Sequence, residues 1–296
     1  MTQSIALASK FLQLIDAVYK MESKTATLDA LTQAPDFLNA NEVKVMKLDT
    51  VGLGNYSRST GYPAGDINAT WETMALSVER GRAFTLDRMD NEESLGLVLG
   101  RLISEWMRVY VAPELDATRF AKYAADAGNV VGSPATLSAA ADVLAAIDAG
   151  NLALSEDEVP EEGRKLYITY TLKQLLDASL TRVWTNDTSV NRALKFLENT
   201  EVIGVPQSRF YTEITLNPGD TSTAGGYAKT SSTGKDINFM IIHPDAVCQP
   251  IKLNQVKYFS PEVNQLSDGH LWQYRLYHDA FVYDNHANGI YLHKKA

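Results

Sequence analysis

The sequence predicts an α+β fold, in which strands and helices alternate along a chain of 296 residues. Three observations predict it. Residues 44–90 contain strand-like stretches around a polar, glycine-rich tip, residues 91–128 have a helical period, and residues 159–182 pass from a period of two to a helical period. Together they predict a projecting loop, a long helix and a compact centre of strand and helix.

The composition disfavours several classes of protein. The single cysteine, Cys248, cannot form an intramolecular disulfide or a cysteine metal cluster. The N-terminus lacks a basic start, and no window approaches the ~20 apolar residues of a membrane span. With 36 acidic and 27 basic residues the formal charge is -9, which disfavours a sequence-reading nucleic-acid binder. We therefore expect a soluble, untargeted, intracellular protein without a membrane partner.

Residues 1–43 have the spacing of two short amphipathic segments, one around Leu14 and a looser one around Leu31. Two interpretations stay open on this pattern. The segments form either helices packed on their own domain or an arm between subunits.

Residues 44–90 predict a two-stranded loop with a polar tip. Met74 and Leu76 alternate with polar neighbours, as do Phe84 and Leu86, so each arm has one apolar face. A lone hairpin cannot bury such a face. Either the body of the same chain or another copy of it must provide the cover, and a projecting apolar loop is typical of an assembly.

A long amphipathic helix is predicted to follow, with Asn91 as its N-cap and Trp106 on its apolar side. We expect Pro113 to kink or restart the helix and Gly128 to end it. The two pieces would span ~50 Å at 1.5 Å per residue.

Residues 159–182 predict the centre of the fold. Leu166, Ile168 and Tyr170 have the period of a strand, and a helical stripe then runs from Leu172 to an end near Arg182. A helix over residues 136–149, stopped by the following glycine, is expected before it. Beyond it the patterns predict a short helix at 191–199, strands at 209–216, 237–242 and 251–259, a mobile loop at 217–236, and a C-terminal hairpin turning at 285–289.

The search for catalytic chemistry yields no strong motif. Phosphate-loop, dinucleotide, zinc-protease and nucleophile-elbow motifs are absent from the sequence. All five histidines follow residue 242, and His278, Asp279, Asp284 and His286 are the candidates for a metal site. Their spacing matches no recognised ligand pattern, so ordinary strand and turn histidines are favoured. We expect no enzyme, no cofactor and no metal.

Six segments, taken in their order, carry a resemblance to a known family: VKVMKLDTVGLGNYSRSTGYPAGDI, VAPELDATRFAKYA, VPEEGRKLYITYTLKQLL, VPQSRF, INFMIIHPDAV and YHDAFVYDNHANGIYLH. This order resembles the major capsid proteins of tailed phages with the Hong Kong 97-like fold. The resemblance implies an N-terminal arm at 1–43, an extended β-hairpin loop at 44–90, a peripheral domain with a long spine helix at 91–134 and 251–296, and an axial domain at 135–250.

For function, the resemblance implies self-assembly through hexamers and pentamers into an icosahedral shell. The shell would enclose double-stranded DNA without sequence-specific binding. The subunit contacts expected on the extended loop are Tyr56, Arg58, Tyr62, Trp71, Arg80 and Arg82. Portal and scaffolding proteins are expected partners, with decoration proteins left open. Assembly in the host bacterial cytoplasm and residence in the virion are implied as well.

Two further expectations concern maturation. The ~40 residues before the extended loop leave no room for the much longer helical scaffolding segment that some relatives carry fused to the N-terminus, so we expect a separate scaffolding protein. The family's namesake joins a loop lysine to a neighbour's asparagine, but no lysine lies between Lys47 and Lys122 here. Because a guanidinium stays protonated, the loop arginines cannot replace that amine, and a non-covalent shell is expected.

Two alternatives remain open at this point. One has the same fold, an encapsulin-type bacterial compartment that holds cargo enzymes. The other belongs to a different class, a metal-dependent hydrolase that uses the C-terminal histidines. Electron microscopy separates a shell from an enzyme, and neighbouring terminase and portal genes separate a phage from an encapsulin.

Overall fold

The structure is a computed structural model that describes residues 22–29, 42–93, 103–179, 196–197, 200–220, 222–265 and 267–296. The predictions around Leu14 and Leu31, the middle of the long helix and the helix end near Arg182 lie outside these ranges. Within them, no helix is long and apolar enough to cross a membrane.

The described strands are Glu42–Thr50 (β1), Ile67–Ala75 (β2), Val78–Asp87 (β3), Asn129–Val130 (β4), Lys165–Thr169 (β5), Phe196–Leu197 (β6), Thr200–Val205 (β7), Ile214–Asn217 (β8), Gly226–Lys229 (β9), Ile237–Ile242 (β10), Val247–Cys248 (β11), Ile251–Phe259 (β12), Gly269–His278 (β13), Phe281–Val282 (β14) and Ile290–Lys294 (β15). The helices are Ala26–Asp29, Arg88–Glu93, Ala112–Ala125, Ala140–Glu156 and Tyr170–Ser179, with a π-helical turn at Met107–Val111 and 3-10 turns at Gln207–Arg209, Pro244–Ala246 and Asp284–Gly289. The α+β class is therefore confirmed.

A six-stranded sheet in the order β4-β15-β10-β5-β7-β6 forms the centre. Strand β5 is buried along its whole length because it lies between β10 and β7 and is covered on both faces. Tyr167 packs on one face with Phe120 of the Ala112–Ala125 helix. Leu166 and Ile168 pack on the other with the Ala140–Glu156 and Tyr170–Ser179 helices. The predicted centre is confirmed, except that Tyr170 begins the helix rather than continuing the strand.

The helix predicted for residues 136–149 instead spans Ala140–Glu156, so the predicted stop at Gly150 is wrong. A Cβ atom at Gly150 would lie 2.8 Å from the ring of Tyr291 on β15. The glycine is there for close packing of helix on sheet, which outweighs its poor helix propensity.

The described parts of the segment predicted as the long helix begin and end differently from the prediction. A helix starts at Arg88, not Asn91, and Asp87 accepts a hydrogen bond from the backbone N–H of Met89 at 2.9 Å. The π-helical turn at Met107–Val111 comes immediately before the helix that carries Pro113 in its first turn. A break in the α-helical ladder is therefore confirmed next to the proline. The last helical residue is Ala125, three residues before Gly128.

Residues 44–90 do not form one hairpin. Strands β1 and β2 form a two-stranded sheet, whereas β3 joins a separate sheet in the order β12-β13-β3. The predicted C-terminal hairpin is wrong too, because β15 pairs with β10 and β4 rather than with β13. Sequence patterns gave the strands but not their partners.

Several smaller predictions are settled by the described residues. Strands at 237–242 and 251–259 are confirmed. Only the end of the 209–216 segment is a strand, and the loop at 217–236 contains β9, which pairs with β8. Residues 196–197 form a strand rather than part of a helix. The domain division stays a prediction, although β15, assigned to the peripheral part, lies inside the central sheet.

Candidate assembly surface

The β1–β2 hairpin extends from the pair Glu42 and Ala75 to the pair Thr50 and Ile67 in unbroken antiparallel register. Directly opposed residues lie on the same face of such a ladder, and successive pairs alternate between the two faces. The hairpin therefore has two faces with different amino-acid patterns.

At its base the hairpin is covered by its own chain. Val43 and its partner Met74 are almost fully buried, together with Leu76 just beyond β2. They form a small apolar cluster, against which Val45 and Tyr277 of β13 pack. The expectation that something covers the apolar loop is met here by the same subunit, so another copy is not needed at the base.

Further out, the opposite face is apolar and exposed. Met46 lies opposite Trp71, and their exposed fractions are 56% and 59%. Leu48 and Ile67 lie on that face as well and are 57% and 77% exposed. We call Met46, Leu48, Ile67 and Trp71 the apolar stripe. An uncovered run of large apolar side chains on a projecting hairpin is typical of a contact surface.

The tip beyond the stripe is held by a tight turn. Ser57 and Gly61 exchange two backbone hydrogen bonds, of 3.1 and 2.8 Å, and Gly61 has φ of +82°, which favours glycine. The rings of Tyr56 and Tyr62 lie 4.9 Å apart on either side of this turn, and Arg58 is exposed within it. The tip thus presents two tyrosines and one cation to solvent.

The two remaining predicted contact residues, Arg80 and Arg82, lie elsewhere. They belong to β3 and line a cavity of about 360 Å³ beside the Ala112–Ala125 helix. Arg80 Nε donates to Glu114 Oε1 at 2.7 Å, and Arg82 Nη1 donates to the backbone oxygen of Gly219 at 3.2 Å. Both guanidinium groups are bound within their own chain, and their role between subunits stays a prediction.

An acidic cluster lies at the hairpin base, around a second cavity. Burial raises the pKa of Glu72, and the neighbouring charge of Asp284 raises it further. Burial also raises the pKa of Asp126, an effect opposed by Lys122. Lys47 of β1 lies 3.3 Å from Asp284 and offsets part of the negative charge. The hairpin base is thus connected to the body by charge as well as by apolar contact.

The candidates for a metal site have other partners. Asp279 accepts from Ser77, Asp284 pairs with Lys47, and the Nδ1 atom of His286 lies 2.9 Å from the backbone oxygen of Asp245. His278 is buried, and its desolvation, with a smaller effect of Arg119, lowers its pKa to about 4. Across the part of the chain that the structure describes, no group of three or more His, Cys, Asp or Glu is arranged to hold a metal.

Sequence reasoning identified Trp71 but missed Met46, Leu48 and Ile67. A signal for two of them was present. Val43 and Val45 occupy odd-numbered positions, whereas Met46 and Leu48 occupy even-numbered positions, so the apolar side chains of β1 change faces between residues 45 and 46. This pattern is typical of a strand that buries one face near its start and exposes apolar residues on the other face further along.

Comparison with solved structures finds the same fold in phage particles. The capsid structure of the cyanophage P-SCSP1u matches with a TM-score of 0.65 and 11% identity, covering 99% of this chain and 93% of that one. A structure from Mycobacterium phage Che8 matches with a TM-score of 0.63 and 14% identity, covering 99% and 96%. The chain has the fold of tailed-phage capsid proteins.

The mature capsid of bacteriophage PhiM1 has this capsid fold as well, with a TM-score of 0.60, 10% identity and coverage of 87% of this chain and 82% of that one. No family model and no curated relative matches the sequence. At this level of identity the similarity is carried by the order and packing of elements rather than by shared residues. The resemblance drawn from six segments is therefore confirmed for the capsid fold.

Proposed function

We propose that this chain is the major capsid protein of a tailed bacteriophage. It would assemble through hexamers and pentamers into an icosahedral shell around packaged double-stranded DNA. The observation that carries this proposal is the apolar stripe, Met46, Leu48, Ile67 and Trp71, which is exposed on a hairpin whose base is buried in its own subunit. The capsid fold supports the same role.

The geometry of the stripe favours contact between unlike surfaces of neighbouring copies. Only the distal part of the hairpin is free to reach a neighbour, since its base packs on its own β13. A projecting element that docks on a different surface of the next copy makes a heterologous contact, which forms closed rings when the rotation closes. Hexamers and pentamers are such rings.

The net charge of the chain is compatible with a shell that encloses DNA and disfavours sequence-specific DNA binding. A formal charge of -9 disfavours a protein that neutralises phosphates with a dense basic face. We therefore propose that the shell encloses DNA without sequence-specific contacts. A non-enzymatic role belongs to the same proposal.

The remaining partners follow from the proposed role. We propose a separate scaffolding protein and a portal, with decoration proteins as an open addition. Assembly would take place in the host bacterial cytoplasm, and the finished protein would reside in the virion. Expression of this chain alone tests the scaffold, because uniform shells in high yield without other phage proteins would contradict it.

Sedimentation velocity and electron microscopy of the purified chain test the function. Capsomers or shells are expected, and a strictly monomeric species at high concentration would refute the proposal. An encapsulin-type compartment is separated by its contents. Particles purified from infected cells should contain packaged DNA, whereas protein cargo without DNA would favour the compartment.

A further inference from the structure

The chain leaves the hairpin and enters the body through two residues, Leu76 and Ser77, between β2 and β3. Both are bound by residues from the end of β13. The hydroxyl of Tyr277 donates to the backbone oxygen of Leu76 at 3.1 Å. Ser77 donates its backbone N–H and its hydroxyl to Oδ2 of Asp279, at 2.8 and 2.7 Å.

Asp279 is itself held from several directions. Its side chain is fully buried, and Oδ1 accepts the N–H of Ala280 at 2.9 Å. Lys122 of the Ala112–Ala125 helix lies 3.3 Å from the same oxygen. The backbone N–H of Asp279 donates to the backbone oxygen of Pro250 at 3.2 Å. The carboxylate of Asp279 thus joins Ser77 to the Ala112–Ala125 helix, and the backbone N–H of the same residue adds the segment before β12.

A buried carboxylate with charged and neutral donors has one preferred geometry, because each unmade bond leaves a desolvated oxygen without a partner. The two carboxylate oxygens of Asp279 bind different parts of the chain. Among the residues that the structure describes, Oδ2 accepts only from Ser77, whereas Oδ1 accepts from Ala280 and pairs with Lys122. Any rotation of the hairpin about its root must therefore break bonds to Oδ2.

We propose that Asp279 is the positioning residue of the assembly surface: it fixes the angle at which the hairpin leaves the body, and this angle gives the shell its uniform curvature. The hairpin reaches far from Ser77, since it has nine residues in each strand and a tip of sixteen residues beyond them. A small rotation at Ser77 moves the apolar stripe by a larger distance. This inference rests on the proposed function, because the stripe is the surface that meets the neighbour.

Spin-label distance measurements can test the angle directly. Labels at Ser59→Cys on the tip and Glu161→Cys on the body report it, because both positions are exposed. The native Cys248 is fully buried and unreactive in the folded chain. The labelled chain is diluted into an excess of unlabelled chain so that only distances within one subunit are recorded.

Two variants, called the pivot variants, weaken the contact between Asp279 and Ser77 and so test whether it sets the hairpin angle. Asp279→Asn keeps the shape but loses the charge. Ser77→Ala removes the hydroxyl, with its bonds to Asp279 Oδ2 at 2.7 Å and from Lys122 Nζ at 3.5 Å, and keeps the backbone N–H bond, so it serves as the second variant if the first fails to fold. The matched control is Asp116→Asn. Asp116 is also fully buried and accepts from Ser23, Thr25 and Arg209, but it holds residues 22–29 rather than the hairpin.

The parent and the Asp116 control should give a narrow distance distribution, and both pivot variants a broader one with shells of mixed size by electron microscopy. Unchanged distances in both pivot variants would overturn the proposal. Broader distances with shells of uniform size would overturn its link to curvature. If the parent forms no shell, the proposed function fails and the link to curvature with it, while the distances still decide whether Asp279 fixes the hairpin.

Discussion

Met46 lies directly opposite Trp71 across the β1–β2 ladder, and more than half of each side chain is exposed. The next residue on β2, Thr70, points to the other face, opposite Lys47. Thr70 and Trp71 are thus neighbours on one strand and both exposed, but they lie on opposite faces of the hairpin. This difference provides matched variants for the assembly surface.

We expect Trp71→Asp to abolish shell formation while the subunit stays folded, because a charge on the stripe must lose its water when the stripe is covered. Thr70→Asp introduces the same charge on the opposite, polar face and should assemble normally. Both changes are on the surface, so each should alter the free energy of unfolding by less than about 0.5 kcal/mol. Sedimentation and urea denaturation measure the two quantities. Equal assembly of the two variants would remove the stripe from the interface.

Replacing residues 51–66 by a short Gly-Ser turn should leave a folded subunit that does not close shells. The replaced residues lie beyond the last strand pair, Thr50 and Ile67, and are exposed apart from the partly exposed Ser57 and Gly61. They contribute little to the core of their own subunit. The thermal midpoint should stay near that of the parent. Normal shells from this variant would refute a role of the tip.

A substitution of Trp106, next to the π-helical turn at Met107–Val111, should instead act on folding. Trp106 makes edge-to-face contacts with Phe84 and Tyr274, at centroid distances of 5.3 and 5.2 Å. Trp106→Asp loses these contacts and places a charge among aromatic rings, which should destabilise the subunit by about 3 kcal/mol or more. Trp106→Phe keeps an aromatic ring and should cost less, about 1 kcal/mol. Equal urea midpoints for parent and Trp106→Asp would contradict this account of the packing.

His278 predicts a dependence of stability on pH. Its pKa falls from 6.5 to about 4 on folding, so the unfolded chain binds a proton more readily between these values. The free energy of unfolding should therefore decrease as the pH is lowered through this window, by up to about 3 kcal/mol from this group. The raised pKa values of Glu72 and Asp126 act in the opposite direction. Comparing the pH dependence of the free energy of unfolding in the parent and in a variant without His278 isolates the contribution of this histidine.

His278→Leu provides that comparison, since the Nδ1 atom has no hydrogen-bond partner among the described residues that the substitution would leave unpaired. The variant should show a flatter stability profile between pH 4 and 6.5 in urea titrations. An identical slope in both proteins would show that His278 is not the group that responds.

Mature particles boiled in detergent under reducing conditions should release one band at 32.6 kDa. The hairpin offers no lysine beyond Lys47, whose ammonium pairs with Asp284 within the same subunit. Isopeptide formation requires a free amine next to a side-chain carbonyl, and arginine cannot provide it. Ladders of covalent multimers would prove this prediction wrong.

The sequence by itself determined the elements whose pattern is local. The buried strand at 237–242, the strand and helix around Leu166 and Leu172, and the broken helix at Pro113 follow from periodicity and backbone chemistry. It also determined which residues are absent, such as a lysine on the loop tip. The order of such elements was enough to predict the capsid fold, because order is what distant relatives retain.

Only the tertiary structure decided which strands pair and which faces stay exposed. Strand β3 resembles an arm of the hairpin in sequence, yet it pairs with β13, so Arg80 and Arg82 line a cavity of their own subunit. Gly150 resembles a helix stop and instead admits the ring of Tyr291. The physical reason is the same in each case. A strand's alternation and a glycine's freedom are local properties, whereas pairing and close approach depend on residues distant in the chain.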